Sequence, residues 1–105
     1  MPPANITGRE VTLDDDGFMT DPAQWTEEIA TFLARQIGID PLTEEHWKVV
    51  RFLRTDFAQQ GETATLRRVS TVAGIGTKDL YTLFPGKPAR KMAYVSGLPK
   101  PKGCV

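Results

Sequence analysis

Cys104 is the one cysteine in the chain, and the residues around it set what its thiol can do. It lies in Leu98-Pro99-Lys100-Pro101-Lys102-Gly103-Cys104-Val105, where two prolines each remove a backbone donor and Gly103 is conformationally permissive. Residues 98–105 are therefore expected to form a flexible C-terminal arm rather than regular structure. At about 3.1 Å per residue, a Pro-rich stretch of this length extends on the order of 25 Å, enough to enter another protein's cleft. Burial in a core, the usual fate of a lone cysteine, does not suit such an arm. A thiol on a tether can instead serve as a mobile nucleophile that accepts a sulfur atom as a persulfide and presents it to a second active site. That chemistry needs the thiolate, and a free cysteine has a pKa of about 8.5 that nearby cations lower. Lys100 and Lys102 favour the thiolate and the carboxylate of Val105 opposes it, so a partner's pocket or a body residue such as Arg67 must assist.

Other chemistry has less support. His46 follows Glu44-Glu45 in the first turn of an expected helix with no nucleophile beside it, which reads as capping or packing. Asp14-Asp15-Asp16-Gly17 lacks the ligand spacing and distal glutamate of a calcium loop and reads as a solvated turn. One histidine and one cysteine far apart make no zinc site, and phosphate-binding, dinucleotide-binding and nucleophile-elbow motifs are absent, so neither a metal nor an organic cofactor is expected. A single cysteine forbids an intramolecular disulfide. With no leader-like start and no apolar run near the roughly 18 residues of a membrane span, the expectation is a cytoplasmic protein that makes no use of a membrane.

These residues must be positioned by one modest domain, since the chain has 105 residues, 40% of them apolar and 25% charged. Alternation of Val11 and Leu13 with polar residues after Thr7-Gly8 predicts a hairpin over residues 4–13. Asp21 followed by Pro22 predicts a helix start, with Trp25, Ile29, Phe32, Leu33 and Ile37 on one face and Gly38 as the stop. Thr43 opens a second helix whose face is Trp47, Val50, Leu53 and Phe57, a stripe that reads as core, and Gly61 ends it. Shorter helices are expected near 63–73, near 77–84 before Pro85, and from Pro88 to Gly97. The predicted architecture is mostly α: a small orthogonal helical domain over residues 1–97, with an N-terminal β-hairpin and a helix-turn-helix-like segment, followed by the arm.

The end LFPGKPARKMAYVSGLPKPKGCV, with TEEHWKVVRFLR at 43–54 and DDDGFM at 14–19, resembles the DsrC/TusE family of sulfur-relay proteins over nearly the whole chain and in the same order. The resemblance implies a helical fold with a hairpin and an arm whose penultimate cysteine, Cys104, carries sulfur. It also implies that Arg67 faces the region where the arm docks, that an upstream sulfurtransferase and a downstream sulfur acceptor bind the arm, and that the protein is a carrier rather than a free-standing enzyme. Members serving dissimilatory sulfite reductase have a second cysteine eleven residues before the penultimate one, where this chain has Ala93. The match is therefore to the single-cysteine, TusE-like branch, which relays persulfide sulfur toward tRNA thiolation. Roles beside sulfite reductase or sulfur oxidation stay open, because the stretch between Arg67 and Leu80 is shorter than usual and bears on which partners fit.

A second reading comes from LRRVSTVAGIGTKDLYTLFPGK at 66–87, which is similar to the DNA-binding segment of TetR-type repressors and suggests a regulator linked to sulfur metabolism. The net charge of zero hides an asymmetry that bears on both readings. Residues 1–62 hold twelve acidic and five basic side chains, whereas residues 63–105 hold eight bases and only Asp79. The second helix of that segment, near 77–84, however, offers only Lys78 before Lys87. An anionic partner docking at the arm accounts for the basic half better than a DNA groove does.

Overall fold

The computed structural model describes residues 3–101; Lys102 and Cys104 lie outside the described residues. The chain opens with strands β1 (Pro3–Ile6) and β2 (Arg9–Thr12), paired antiparallel with Asn5 opposite Glu10. Their two-residue connection needs positive φ at both positions, and Thr7 (53°) and Gly8 (83°) supply it, with the Gly8 N–H donating to Asn5 Oδ1 at 3.2 Å. A bridge between Leu13 and Met19 then closes the acidic turn. Asp14 Oδ1 accepts from the N–H groups of Asp16 and Phe18 at 2.8 and 3.0 Å, the local carboxylate-to-backbone bonding that makes Asp a turn residue.

Five α-helices follow among the described residues: α1 (Glu27–Gln36), α2 (Glu44–Gln60), α3 (Leu66–Ala73), α4 (Thr77–Leu83) and α5 (Pro88–Val95). The expected single helix from Asp21 is broken into two pieces. Asp21 caps only a 3-10 turn over Pro22–Gln24, the backbone is extended at Trp25, and Thr26 begins α1 by accepting from the Ile29 N–H at 3.2 Å. A second cap residue followed by Glu27 and Glu28, at the positive end of the dipole, restarts the helix there. The break takes Trp25 off α1, while Phe32 turns outward and is 37% exposed, so of the predicted stripe α1 buries Ile29 and Leu33, and Ile37 at its C-cap packs against the core.

Prediction and structure agree closely at α2. Thr43 accepts from the His46 N–H, and the Thr43 N–H donates to His46 Nδ1 at 3.1 Å, a reciprocal cap. With Nδ1 accepting, Nε2 carries the hydrogen and donates to the Leu83 carbonyl at 2.8 Å. His46 is thus spent on joining the start of α2 to the end of α4, with Phe84 edge-on at 5.2 Å. The helix-turn-helix-like segment is the α3–α4 pair, joined through Gly74 in the left-handed region and burying Val69, Ile75 and Leu80 in the common core. α5 packs against α1, α2 and α4, and its Met92 and Val95 lie in that core.

Candidate functional site

The segment leading toward Cys104 begins where α5 ends, and that end is fastened more firmly than its composition suggests. Gly97 takes φ +68°, its N–H reaches the Tyr94 carbonyl at 3.3 Å, and the Leu98 N–H reaches the Ala93 carbonyl at 3.1 Å. This double bonding across a left-handed glycine is a Schellman closure, and Leu98, 1% exposed, is the apolar residue that seals it. A Cβ at Gly97 would lie 2.3 Å from Trp25 Cδ1, so the position demands glycine for space as well as for conformation.

Trp25 is the other half of that contact. Its indole N–H donates to the Val95 carbonyl at 2.9 Å, and the Arg54 guanidinium lies 4.2 Å from the centre of its ring. From α2, Arg54 also donates to the Ser96 and Pro22 carbonyls, each at 2.9 Å. One cation therefore ties the 3-10 turn before α1, the middle of α2 and the end of α5 together, at the negative end of the α5 dipole. Burial pulls the Arg54 pKa below its usual range.

Beyond Leu98 the chain stays on the body. The Pro99 carbonyl accepts from the buried Thr63 hydroxyl at 2.7 Å, Lys100 Nζ lies 3.1 Å from Asp16 Oδ2, and Pro101 is buried. The first half of the expected arm is thus a strap running between the loop before α3 and the acidic turn. Lys100, expected near the thiol, is held by Asp16 of the turn that read as merely solvated. Arg67 is exposed in the first turn of α3, and no contact among the described residues joins it to Lys100. Its neighbour Arg68 instead grips buried Asp56, with Nε and Nη2 at 2.9 and 2.6 Å from the two carboxylate oxygens. That bidentate bond holds Asp56 below the usual carboxylate range and raises the Arg68 pKa.

Ala93, where the family resemblance contrasts a second cysteine, is fully buried on α5 directly beneath the strap, its carbonyl holding Leu98. Among the described residues no cluster of three or more His, Cys, Asp or Glu is placed to hold a metal ion.

The fold and this strap define a class: a small helical domain that anchors the root of a segment bearing a lone thiol. The DsrC-like protein family model matches residues 5–105, and the chain belongs to that family. The chain is 39% identical to sulfurtransferase TusE of Pectobacterium atrosepticum over 106 residues, spanning 93% of this chain and 95% of the relative. To sulfurtransferase TusE of Escherichia coli it is 36% identical over 106 residues with the same coverage. Among solved structures it resembles the DsrC/gamma subunit of dissimilatory sulfite reductase from Pyrobaculum aerophilum, at 40% identity and a TM-score of 0.82 over 99% of this chain and 95% of that one. No helix of the described residues is long and apolar enough to cross a membrane.

The Thr43 cap is legible in the sequence, whereas the roles of Arg54, Trp25 and Thr63 as fasteners are not. Arg54 closes the TEEHWKVVRFLR block, and a charged residue one position after Leu53 of the apolar stripe was the available signal.

Proposed function

We propose that the protein is a cytoplasmic sulfur carrier, working on Cys104 as the thiol members of its family use. The Cys104 thiolate attacks the outer sulfur of a donor's persulfide, the S–S bond to the donor breaks, and the donor's thiolate leaves. Cys104 becomes Cys104–S–SH with no net oxidation, so the step consumes no cofactor. The acceptor then repeats the exchange in the other direction. Lys102 and Arg67 act on the thiolate or on docking, while Lys100 spends its charge on Asp16 and fixes where the strap leaves the body. The protein is a cosubstrate of its partners, an upstream sulfurtransferase and a downstream acceptor.

The observation that carries this reading is the thiol's placement within the matched family: Cys104 follows by three residues a strap fastened by Gly97, Thr63 and Lys100. Alanine at position 93 favours a single-thiol, TusE-like relay over chemistry that pairs two arm cysteines. The test is a loading panel. The chain is incubated with persulfidated donor proteins, beginning with a cysteine desulfurase supplied with L-cysteine, and separately with inorganic polysulfide, and its intact mass is measured. Wild type gains the mass of one sulfur atom and Cys104→Ser gains none; a wild type left unmodified across the panel refutes the reading.

A further inference from the structure

Beside the strap lies a cleft of about 460 Å³ whose lining includes Asp16, Phe18, Lys87, Arg90, Lys91 and Tyr94. The volume is in the range of ligand-sized pockets. Its floor is aromatic, with Phe18 and Tyr94 meeting edge to face at 5.9 Å. One wall is cationic: Lys87 is exposed, Arg90 lies 5.4 Å from the Phe18 ring, and Lys91 turns back to the Pro85 carbonyl. All three occupy the start of α5, whose first turn has no acidic residue and no side-chain cap, so they sit where the dipole disfavours positive charge. The opposite lip is the acidic turn, where Asp16 holds Lys100.

We propose that this cleft is the docking site for the protein that exchanges sulfur with Cys104, and that it receives a segment bearing an apolar side chain flanked by carboxylates. The inference rests on the carrier reading and names the surface through which that reading operates. Geometry assigns the occupant. Cys104 follows Pro101 by three residues in the sequence, and Lys100 is fixed to Asp16, a residue of the cleft. A protein that engages the chain beyond Pro101 meets the cleft's acidic lip at the root of that segment, where Lys100 is bonded to Asp16. Charge selects the same occupant: an apolar, aromatic floor between a cationic wall and an acidic lip has the anatomy of a protein interface. A polyanion such as RNA would meet Asp14, Asp15 and Asp16 at the edge.

The test compares donors that need docking with one that does not. Lys87→Glu/Arg90→Glu and the single Lys87→Glu are loaded by the donor protein that charges wild type fastest in the panel above, and by inorganic polysulfide. Glutamate at exposed position 87 also suits the helix dipole, so the single variant retains the fold, which circular dichroism checks. Loading by the donor protein is expected to slow by about tenfold or more in the double variant, more at low salt than at physiological salt, with polysulfide loading within twofold of wild type. Equal slowing with both donors, or no slowing with either, overturns the proposal while leaving Cys104 a carrier. Binding of labelled tRNA by wild type that the double variant loses, with donor-protein loading unchanged, assigns the cleft to RNA and overturns the proposal too. A wild type that no donor loads removes the carrier reading, and the occupant with it.

Discussion

Gly97→Ala is the sharpest perturbation of the strap, because its two costs are read from separate features. At φ +68° an alanine pays roughly 1–2 kcal/mol for the left-handed conformation alone. The new Cβ would stand 2.3–2.8 Å from three atoms of Trp25, too close for any real contact, so the indole must leave its place. Its departure breaks the bond to the Val95 carbonyl, about 1 kcal/mol, and uncovers the Arg54 guanidinium, about another 0.5–2 kcal/mol for a partly desolvated cation over a ring. The expected total is about 2.5–5 kcal/mol. Urea unfolding followed by circular dichroism measures it, and tryptophan emission read in a Trp47→Phe background, where Trp25 is the one indole left, follows Trp25 separately. A double-mutant cycle isolates the steric part: in a Trp25→Ala background Gly97→Ala should retain only the conformational cost, leaving a coupling of at least about 1 kcal/mol. A Gly97→Ala protein within about 1 kcal/mol of wild type, or a cycle with no coupling, would show that Trp25 does not close over Gly97.

Asp56→Asn should cost about 2–3 kcal/mol, between the values for buried and exposed pairs, since Asp56 is buried and Arg68 is about a third exposed. Because the folded-state pKa of Asp56 is lowered, its contribution is present above the unfolded value of about 3.9 and is lost as pH falls through the folded value. The gap between wild type and Asp56→Asn in urea titrations should therefore narrow on acidification below about pH 4, and a gap independent of pH would contradict the assignment. Arg54→Lys keeps the charge but cannot bridge two carbonyls while covering a ring, so it should lose at least about 1 kcal/mol of stability. Thr63→Val keeps the shape and deletes the bond to the Pro99 carbonyl; exchange of the Leu98 amide, which is bonded to the Ala93 carbonyl, should accelerate with little change in global stability, and an unchanged exchange rate would show that Thr63 does not hold the strap.

How much of this was legible in the sequence varies by element. Thr43 and Pro88 announced their helices correctly because a cap or a proline acts within one turn, on neighbours close in sequence. The start of α1 was misplaced because Asp21-Pro22 and Thr26-Glu27-Glu28 are both valid starts, and the choice falls to Trp25, which bonds a carbonyl seventy residues away. The same limit explains the site. Cys104, Lys100 and Lys102 stood out through their types and their prolines, whereas the partners of the strap come from the acidic turn, the middle of α2 and the loop before α3. Asp16 looked like an idle surface acid and Arg54 like the flank of a core stripe. Neither reveals its role until the fold brings the end of α5 to it.

A sulfur relay requires that Cys104 both take up sulfur and give it up. The direct measurement is a chase: the chain is loaded with ³⁵S from labelled L-cysteine through a cysteine desulfurase, separated from the donor, and mixed with unlabelled cell extract, with intact mass and label followed together. A carrier loses the mass of one sulfur atom from Cys104 while the label appears in another macromolecule, and Cys104→Ser takes up no label at the outset. Label that enters Cys104→Ser equally, or that stays on the wild type after the chase, contradicts a relay.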